Sequence, residues 1–273
     1  MRRLGRRQLF ALGGGAVLGA GLTGVLPAAE PAASSGADDE IDNPKRGGQQ
    51  VVWSVDTDRP AAALTFDDGP HAVLTPRVLA LLDRYDIRAT FFMMGHCAET
   101  YPGLVADVVA AGHEVGNHTW RHLNLADASA SETRREIEVG AEKIEAAAGV
   151  PVTMFRPPRG RLNEAALRVL APLRHDVVLW SVTRGALDWR SPAKVADNIV
   201  TKTGPGDIID LHDGVGRWTF EPGTPRAAEL LERRLVELEA LPRIIEGILD
   251  KGIDLVGVSD LLSSPPALTN QAR

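Results

Sequence analysis

From about residue 51 to residue 262, short apolar runs alternate with amphipathic segments, and this alternation limits the fold more than any other feature of the chain. Strand candidates fall at 62–66, 90–94, 113–116, 152–155, 177–182, 207–211 and 255–258, most of them short apolar runs. Helical patterns stand between them at 76–85, 102–111, 131–148 and 164–170. Repetition of strand and helix predicts a parallel sheet, open or closed, with helices covering it. With 273 residues, 44% of them hydrophobic, the chain can bury a full core. A single α/β barrel of about 200–250 residues fits that length as well as two smaller domains do.

Polar motifs gather at one end of these strands. Asp67 and Asp68 follow the first strand, His118 the third and Arg156 the fourth. Asp188 lies beyond the fifth, and His212 follows the sixth. In a (β/α) barrel the carboxyl ends of the strands converge on one face, where active sites sit. Taken alone, Asp67-Asp68-Gly69-Pro70 is a turn sequence, and two histidines four apart are a common surface coincidence. Taken together they suggest chemistry. The spacing of His118 and His122 predicts one helical turn on which both imidazoles face the same metal ion. Two histidines and a carboxylate from a distant strand end make an open zinc site with room for water. One carboxylate of the Asp67–Asp68 pair is then spare to take a proton, the minimum needed to hydrolyse an amide or ester.

Five motifs in fixed order resemble those of the polysaccharide deacetylases, the NodB-homology family of carbohydrate esterases (family 4). They are Thr65–Pro70, His118–His122, Arg156-Pro157-Pro158-Arg159-Gly160, Asp188-Trp189, and Leu211-His212-Asp213-Gly214. The resemblance covers about residues 60–262. It implies a distorted (β/α) barrel of about seven parallel strands, a divalent metal (zinc, or cobalt), and removal of acetyl groups from sugars. It makes Asp68, His118 and His122 the metal ligands and Asp67 the general base, held by Arg156. His212 becomes the general acid, oriented and kept protonated by Asp188. Trp189 and Leu211 would wall a pocket for the acetyl methyl. The backbone N–H of Arg159 would face the oxyanion, with its side chain toward substrate.

The implied substrate is an N-acetylglucosamine polymer, peptidoglycan or chitin-type, since Gly69-Pro70 resembles glucosamine-acting members more than muramic-acid-acting ones. Two other readings stand beside it. An O-acetyl xylan esterase would need no amine protonation. A catalytically silent carbohydrate-binding protein would be expected to have lost Asp67 or His212, and both are present. Three departures mark this chain. Arg159 stands where the family usually has Tyr, Asp188-Trp189 comes late after Trp180, and 217–241 is longer than usual and able to shape or cover the cleft.

The net charge of -6 argues against a nucleic-acid partner. A single cysteine, Cys97, excludes an intramolecular disulfide and reads as a small core hydrophobe. At the N-terminus, Arg6-Arg7-Gln8-Leu9-Phe10 opens a glycine-rich apolar run to Leu26. This predicts an export signal of twin-arginine type, with an ordinary Sec signal as the alternative, and no stable membrane span in the mature chain. The expected layout is a signal and the start of a linker over 1–37, a flexible linker over 38–50, a catalytic domain over 51–262 and a disordered tail over 263–273. The expected location is secreted or on the outside of the cell envelope. The sequence leaves the oligomeric state open.

Overall fold

The computed structural model describes residues 50–185 and 189–266. Among the described residues, nine strands form one sheet, and every ladder in it is parallel. They are β1 (Val51–Val52), β2 (Ala61–Asp67), β3 (Thr90–Met93), β4 (Glu114–Asn117), β5 (Met154–Phe155), β6 (Asp176–Val178), β7 (Val182–Thr183), β8 (Ile208–His212) and β9 (Asp254–Val256). The spatial order is β1-β6-β5-β4-β3-β2-β8-β7, with β9 paired to the first half of β2. β6 and β7 lie near opposite ends of that order, yet only residues 179–181 separate them. The sheet therefore curls until its two ends meet at a seam, giving the distorted barrel expected from the sequence.

The seam also explains the extra strands. The run 177–182 serves two partners. Val177 and Val178 pair with β1, whereas Val182 and Thr183 pair with Ile209 and Asp210 of β8. One straight strand cannot do both, so it breaks into β6 and β7. β1 adds a strand that the apolar runs did not announce.

Among the described residues, seven helices pack outside the sheet, α1 (Leu74–Arg84), α2 (Gly95–Thr100), α3 (Pro102–Ala110), α4 (Ala130–Ala148), α5 (Glu164–Leu173), α6 (Pro192–Lys202) and α7 (Pro225–Leu249), while α8 (Val258–Leu262) packs Val258 and Leu261 against the interior-facing residues. Their sequences explain their limits. α4 opens on a capping box in which Ser129 and Glu132 satisfy each other's backbone N–H groups, and it closes on Gly149 with φ 68°. α1 buries Leu74, Val78 and Leu82, spaced four apart on one face.

Strand alternation divides the core and aims the site. Along β2, Ala62, Leu64 and Phe66 face the helices and join Phe91, Ile209, Leu211, Leu241 and Ile244. Ala61 and Ala63 face the barrel interior with Phe92, Val178 and Ile208. Full burial of a side chain such as Phe66 stabilises the fold by roughly 1.5–3 kcal/mol. The same two-residue period puts Thr65 and Asp67 on the interior face, so the helix-side core fixes where the first motif points. Cys97 is buried, and burial pushes its thiol up to about 12.

After α8 the chain stays bonded as far as Pro265, whose carbonyl accepts from Thr57 Oγ1 at 2.8 Å. Residues 267–273 of the expected tail, the expected export signal and all but the end of the linker lie outside the described residues. No described helix is long and apolar enough to cross a membrane.

Candidate active site

The site begins where β2 ends. Asp67 pairs in register with Phe92 of β3 and His212 of β8, which places a carboxylate and an imidazole at neighbouring strand ends. The next residue, Asp68, turns the chain at φ 76°. Two close approaches lock this turn to the fifth motif. A Cβ on Gly69 would lie 2.3 Å from Asp213 Oδ2, and one on Gly214 would lie 2.0 Å from the Asp68 carbonyl oxygen. Only glycine fits at either place. Asp213 itself accepts from Thr75 Oγ1, and burial pushes its carboxyl up to about 7.

Arg156 extends from the end of β5 into the seam and is fully buried. Its Nη1 donates to Asp67 Oδ1 at 2.7 Å and to Thr65 Oγ1 at 2.7 Å. Its Nε and Nη2 donate at 3.0 Å to the carbonyls of Val178 and Leu179, where the sheet lacks a ladder to satisfy them. The guanidinium lies 4.1 Å from the Phe92 ring centre. A buried cation is tolerated only when its donors are used and a counter-charge is close. Arg156 therefore closes the barrel and fixes Asp67 in one act, leaving Asp67 Oδ2 as its free oxygen.

His118 and His122 follow β4. They do not share a helical turn, as their spacing had predicted. The segment is a loop in which Thr119 and His122 have φ of 69° and 59°. Local acceptors take the N–H groups that a helix would have used. Asn117 Oδ1 accepts from Thr119 N, Thr119 Oγ1 from His122 N, and the Glu136 carbonyl from Trp120 N. The loop still brings the rings together, with centres 5.0 Å apart.

His118 Nδ1 donates to the Arg156 carbonyl at 2.8 Å, which leaves Nε2 as the free lone pair. That Nε2 is 3.6 Å from Asp68 Oδ1, and His122 Nε2 is 3.2 Å from the same oxygen. Asp68 Oδ1 is buried and has no hydrogen-bond donor among the described residues. Ligands held tetrahedrally at zinc distances lie about 3.3 Å apart, so this orphaned oxygen and two imidazole nitrogens fit a divalent cation. They also form the one three-residue cluster found among the described residues that could hold a metal. Burial pushes His122 down to about 4, which keeps it neutral and able to ligate. For Asp68, burial opposes ionisation, but His122, His118, His212 and Arg234 hold its carboxyl well below the usual range. For His118, burial opposes the charged form, but Asp67 and Asp68 outweigh it and raise its pKa.

Over residues 54–178 the chain matches the sequence profile of the family described as Polysaccharide deacetylase. Over 214 residues it is 35% identical to a peptidoglycan-N-acetylglucosamine deacetylase of Bacillus cereus, a stretch that covers 78% of this chain and 92% of that protein. The chain belongs to the polysaccharide deacetylase family. A chitooligosaccharide deacetylase of Sinorhizobium fredii is 34% identical over 199 residues, covering 72% of this chain and 89% of that one. The fold agrees: the crystal structure of a peptidoglycan N-acetylglucosamine deacetylase superposes with a TM-score of 0.68 at 29% identity, covering 79% of this chain and 94% of that one.

The remaining residues of the deacetylase motifs fall into place unevenly. His212 stands at the end of β8 with its side chain 18% exposed, so it can reach the cleft. Burial and the Arg234 cation push its pKa down, but Asp210 and Glu237 outweigh them and hold it at about 9. Asp188, expected to orient His212, lies outside the described residues. Among the described residues, the carboxylate on His212 is Glu237, whose Oε2 is 3.1 Å from Nδ1. Trp189 is half-buried, with the guanidiniums of Arg190 and Arg233 4.3 Å and 4.9 Å from its ring centre. Arg159 is exposed with φ 61°, and its charge acts on His122.

Leu211 is not at the cleft. It is 1% exposed and packed into the helix-side core with Leu74, Val78 and Leu241. The physical reason is strand alternation: the neighbour of an inward His212 points outward, and the residue sharing its face is Asp210. Asp210 is buried, 3.7 Å from Arg156 Nη1, and burial raises its carboxyl to about 6. The sequence reading missed Asp210, Arg234 and Glu237. The two-residue period of β8 carried the signal for Asp210. Nothing local marked the other two, which look like solvent-side charges of an outer helix.

Proposed function

We propose that this protein is an exported, metal-dependent N-deacetylase that hydrolyses the acetamido groups of N-acetylglucosamine in peptidoglycan or chitin-type polymers. The observation that carries the reading is the placement of Asp67 and His212 on paired positions of β2 and β8, beside the Asp68–His118–His122 cluster. A base, an acid and a candidate cation site are what amide hydrolysis needs at one carbon. A divalent cation such as zinc, or cobalt, held by Asp68 Oδ1 and the two Nε2 atoms would polarise the acetyl carbonyl and lower the pKa of a water.

The protein's own groups then divide the work. Arg156 occupies Asp67 Oδ1, so Oδ2 takes the proton as water oxygen bonds to the carbonyl carbon. When the C–N bond breaks, the nitrogen takes a proton from His212, and acetate and a free amine leave. Amines leave poorly unless protonated. A histidine held protonated at neutral pH by two carboxylates therefore favours the amide over the ester reading.

The B. cereus relative and the Gly69-Pro70 sequence support glucosamine-containing substrates. The Arg6-Arg7 pair and the apolar run to Leu26 support export. Acetate release should be measured across chitopentaose, peptidoglycan and acetyl-xylan, with free amines counted alongside. We expect matched acetate and amine from the first two substrates. Release from acetyl-xylan alone would make the protein an esterase, and tight retention on chitin or cell wall without release would make it a binding protein. Residues 1–40 fused to a reporter should carry it out of the cytoplasm, and Arg6-Arg7→Lys-Lys should block a twin-arginine route.

A further inference from the structure

α7 turns two charged residues into the site from one face, three positions apart. Glu237 is 2% exposed and Arg234 6%. Glu237 Oε2 meets His212 Nδ1 at 3.1 Å, while Oε1 accepts from Arg234 Nη1 at 3.0 Å and faces Arg184 Nε at 2.9 Å. Arg234 also donates from Nη2 to Asp68 Oδ2 at 3.2 Å and from Nε to the Gly214 carbonyl at 3.0 Å. One helix thus touches the proposed acid, the proposed ligand carboxylate and the backbone of the fifth motif. Next to Arg234, Arg233 stacks on Trp189, tying the fourth-motif loop to the same helix.

The chemistry of this arrangement is directional. Burial opposes the charge of Glu237, but Arg234, His212 and Arg184 outweigh it, so the carboxylate stays ionised. An ionised carboxylate only accepts, so His212 must donate Nδ1–H to it. The ring orientation is then fixed, and Nε2 is the nitrogen left to face substrate. Asp68 gains as well: Arg234 takes Oδ2 and leaves Oδ1 for the cluster with His118 and His122.

We propose that Glu237 is the positioning residue for His212, and that Arg234 ties it to Asp68 so that acid and ligand set keep one spacing. The proposal rests on the deacetylase reading. A purely structural role, in which Glu237 only neutralises the buried Arg234 and the half-buried Arg184, makes a different prediction. Loss of positioning harms a leaving group that needs a proton more than one that does not.

The test compares E237Q with wild type on chitopentaose and on 4-nitrophenyl acetate. E237Q should lose at least about tenfold more kcat on the amide than on the aryl ester, with KM moved only a few-fold. Pairing E237Q with R184Q restores the local charge balance, so the double variant carries the comparison if E237Q folds poorly. Nitrogen-15 NMR of the histidines supplies a readout independent of turnover. The His212 Nδ1 proton should resonate downfield in wild type, bonded to a carboxylate, and move upfield in E237Q. Equal losses on both substrates, or an unmoved Nδ1 proton, would overturn the proposal. Absence of any release by wild type would instead sink the deacetylase reading, with the NMR result still deciding whether Glu237 holds His212.

Discussion

The two sides of the cleft are built differently. On one side the proposed base and ligand cluster come from the ends of β2 and β4, and their partner Arg156 comes from the end of β5, close by in the barrel. Arg156 reaches from β5 to Asp67 on β2, and its carbonyl fixes His118 after β4. On the other side His212 also ends a strand, but its partner arrives from α7, 25 residues along the chain. The strand-end side is determined by the fold itself, because the residue that closes the seam is also the one that fixes the base. The α7 side depends on the packing of one helix, whose Leu241, Ile244 and Ile248 also belong to the helix-side core.

The largest expected effects fall on the strand-end side. Asp67→Asn should lower kcat by about 100–10,000-fold, since it removes the proton acceptor, while leaving the metal content of the purified protein unchanged. Asp68→Asn and His122→Ala should instead lose metal, measured by elemental analysis. If Asp67→Asn lost the metal and kept turnover after reloading, the two aspartates would have exchanged roles.

Leu211 tests the boundary between site and core on β8. Leu211→Ala should cost about 2–5 kcal/mol in urea unfolding, as large-to-small changes in packed cores do. KM on chitooligosaccharides, measured well below the melting temperature, should stay within a few-fold of wild type. A large rise in KM without loss of stability would restore Leu211 to a substrate pocket.

His113 sharpens the contrast between the two ends of the barrel. It lies just before β4, at the end of that strand away from His118, buried against Phe91 with Nδ1 accepting from Ala89 N. Burial and Arg88 lower its pKa from 6.5 to about 4. A histidine held neutral in the fold takes up its proton more readily when unfolded. Its contribution to stability is therefore present at pH 7 and is lost as pH falls from 6.5 toward 4. Between pH 7 and pH 5 the loss should approach about 2 kcal/mol. It should appear as the difference in urea stability between wild type and His113→Gln over that range. An identical pH slope in the two proteins would contradict it.

Arg159 should give the smallest effect. An exposed guanidinium over the cleft favours carboxylates, which peptidoglycan offers on its lactyl and peptide arms and chitin does not. Arg159→Tyr should raise KM on peptidoglycan fragments several-fold and leave kcat on chitooligosaccharides nearly unchanged, the signature of a lost binding contact. An unchanged ratio of kcat/KM between the two substrates would remove Arg159 from substrate choice.

What could be read in advance follows the same division. Asp67, Asp68, His118, Arg156 and His212 were legible because strand ends are legible and a parallel barrel gathers them at one face. Leu211 was misplaced by weighing a motif letter above the two-residue period of its own strand. The four-residue spacing of His118 and His122 suits a helix, but Asn117, Thr119 and Glu136 satisfy the backbone in a loop that brings the rings together just as well. The run 177–182 was read as one strand because nothing local reveals that its halves pair at opposite sides of a seam. Glu237 and Arg234 were invisible because a helix with leucines and charges at helical spacing gives no sign of which charges face inward. Only the packing of α7 over β8 decides that.

The central claim is that Asp68, His118 and His122 hold a divalent cation on which acetamide hydrolysis depends. Acetate release from chitopentaose should therefore be measured on protein stripped with a chelator, then reloaded with zinc or cobalt, with metal content determined on the same samples. The account predicts that release disappears with the metal and returns on reloading. Undiminished release from protein shown to be metal-free would contradict it.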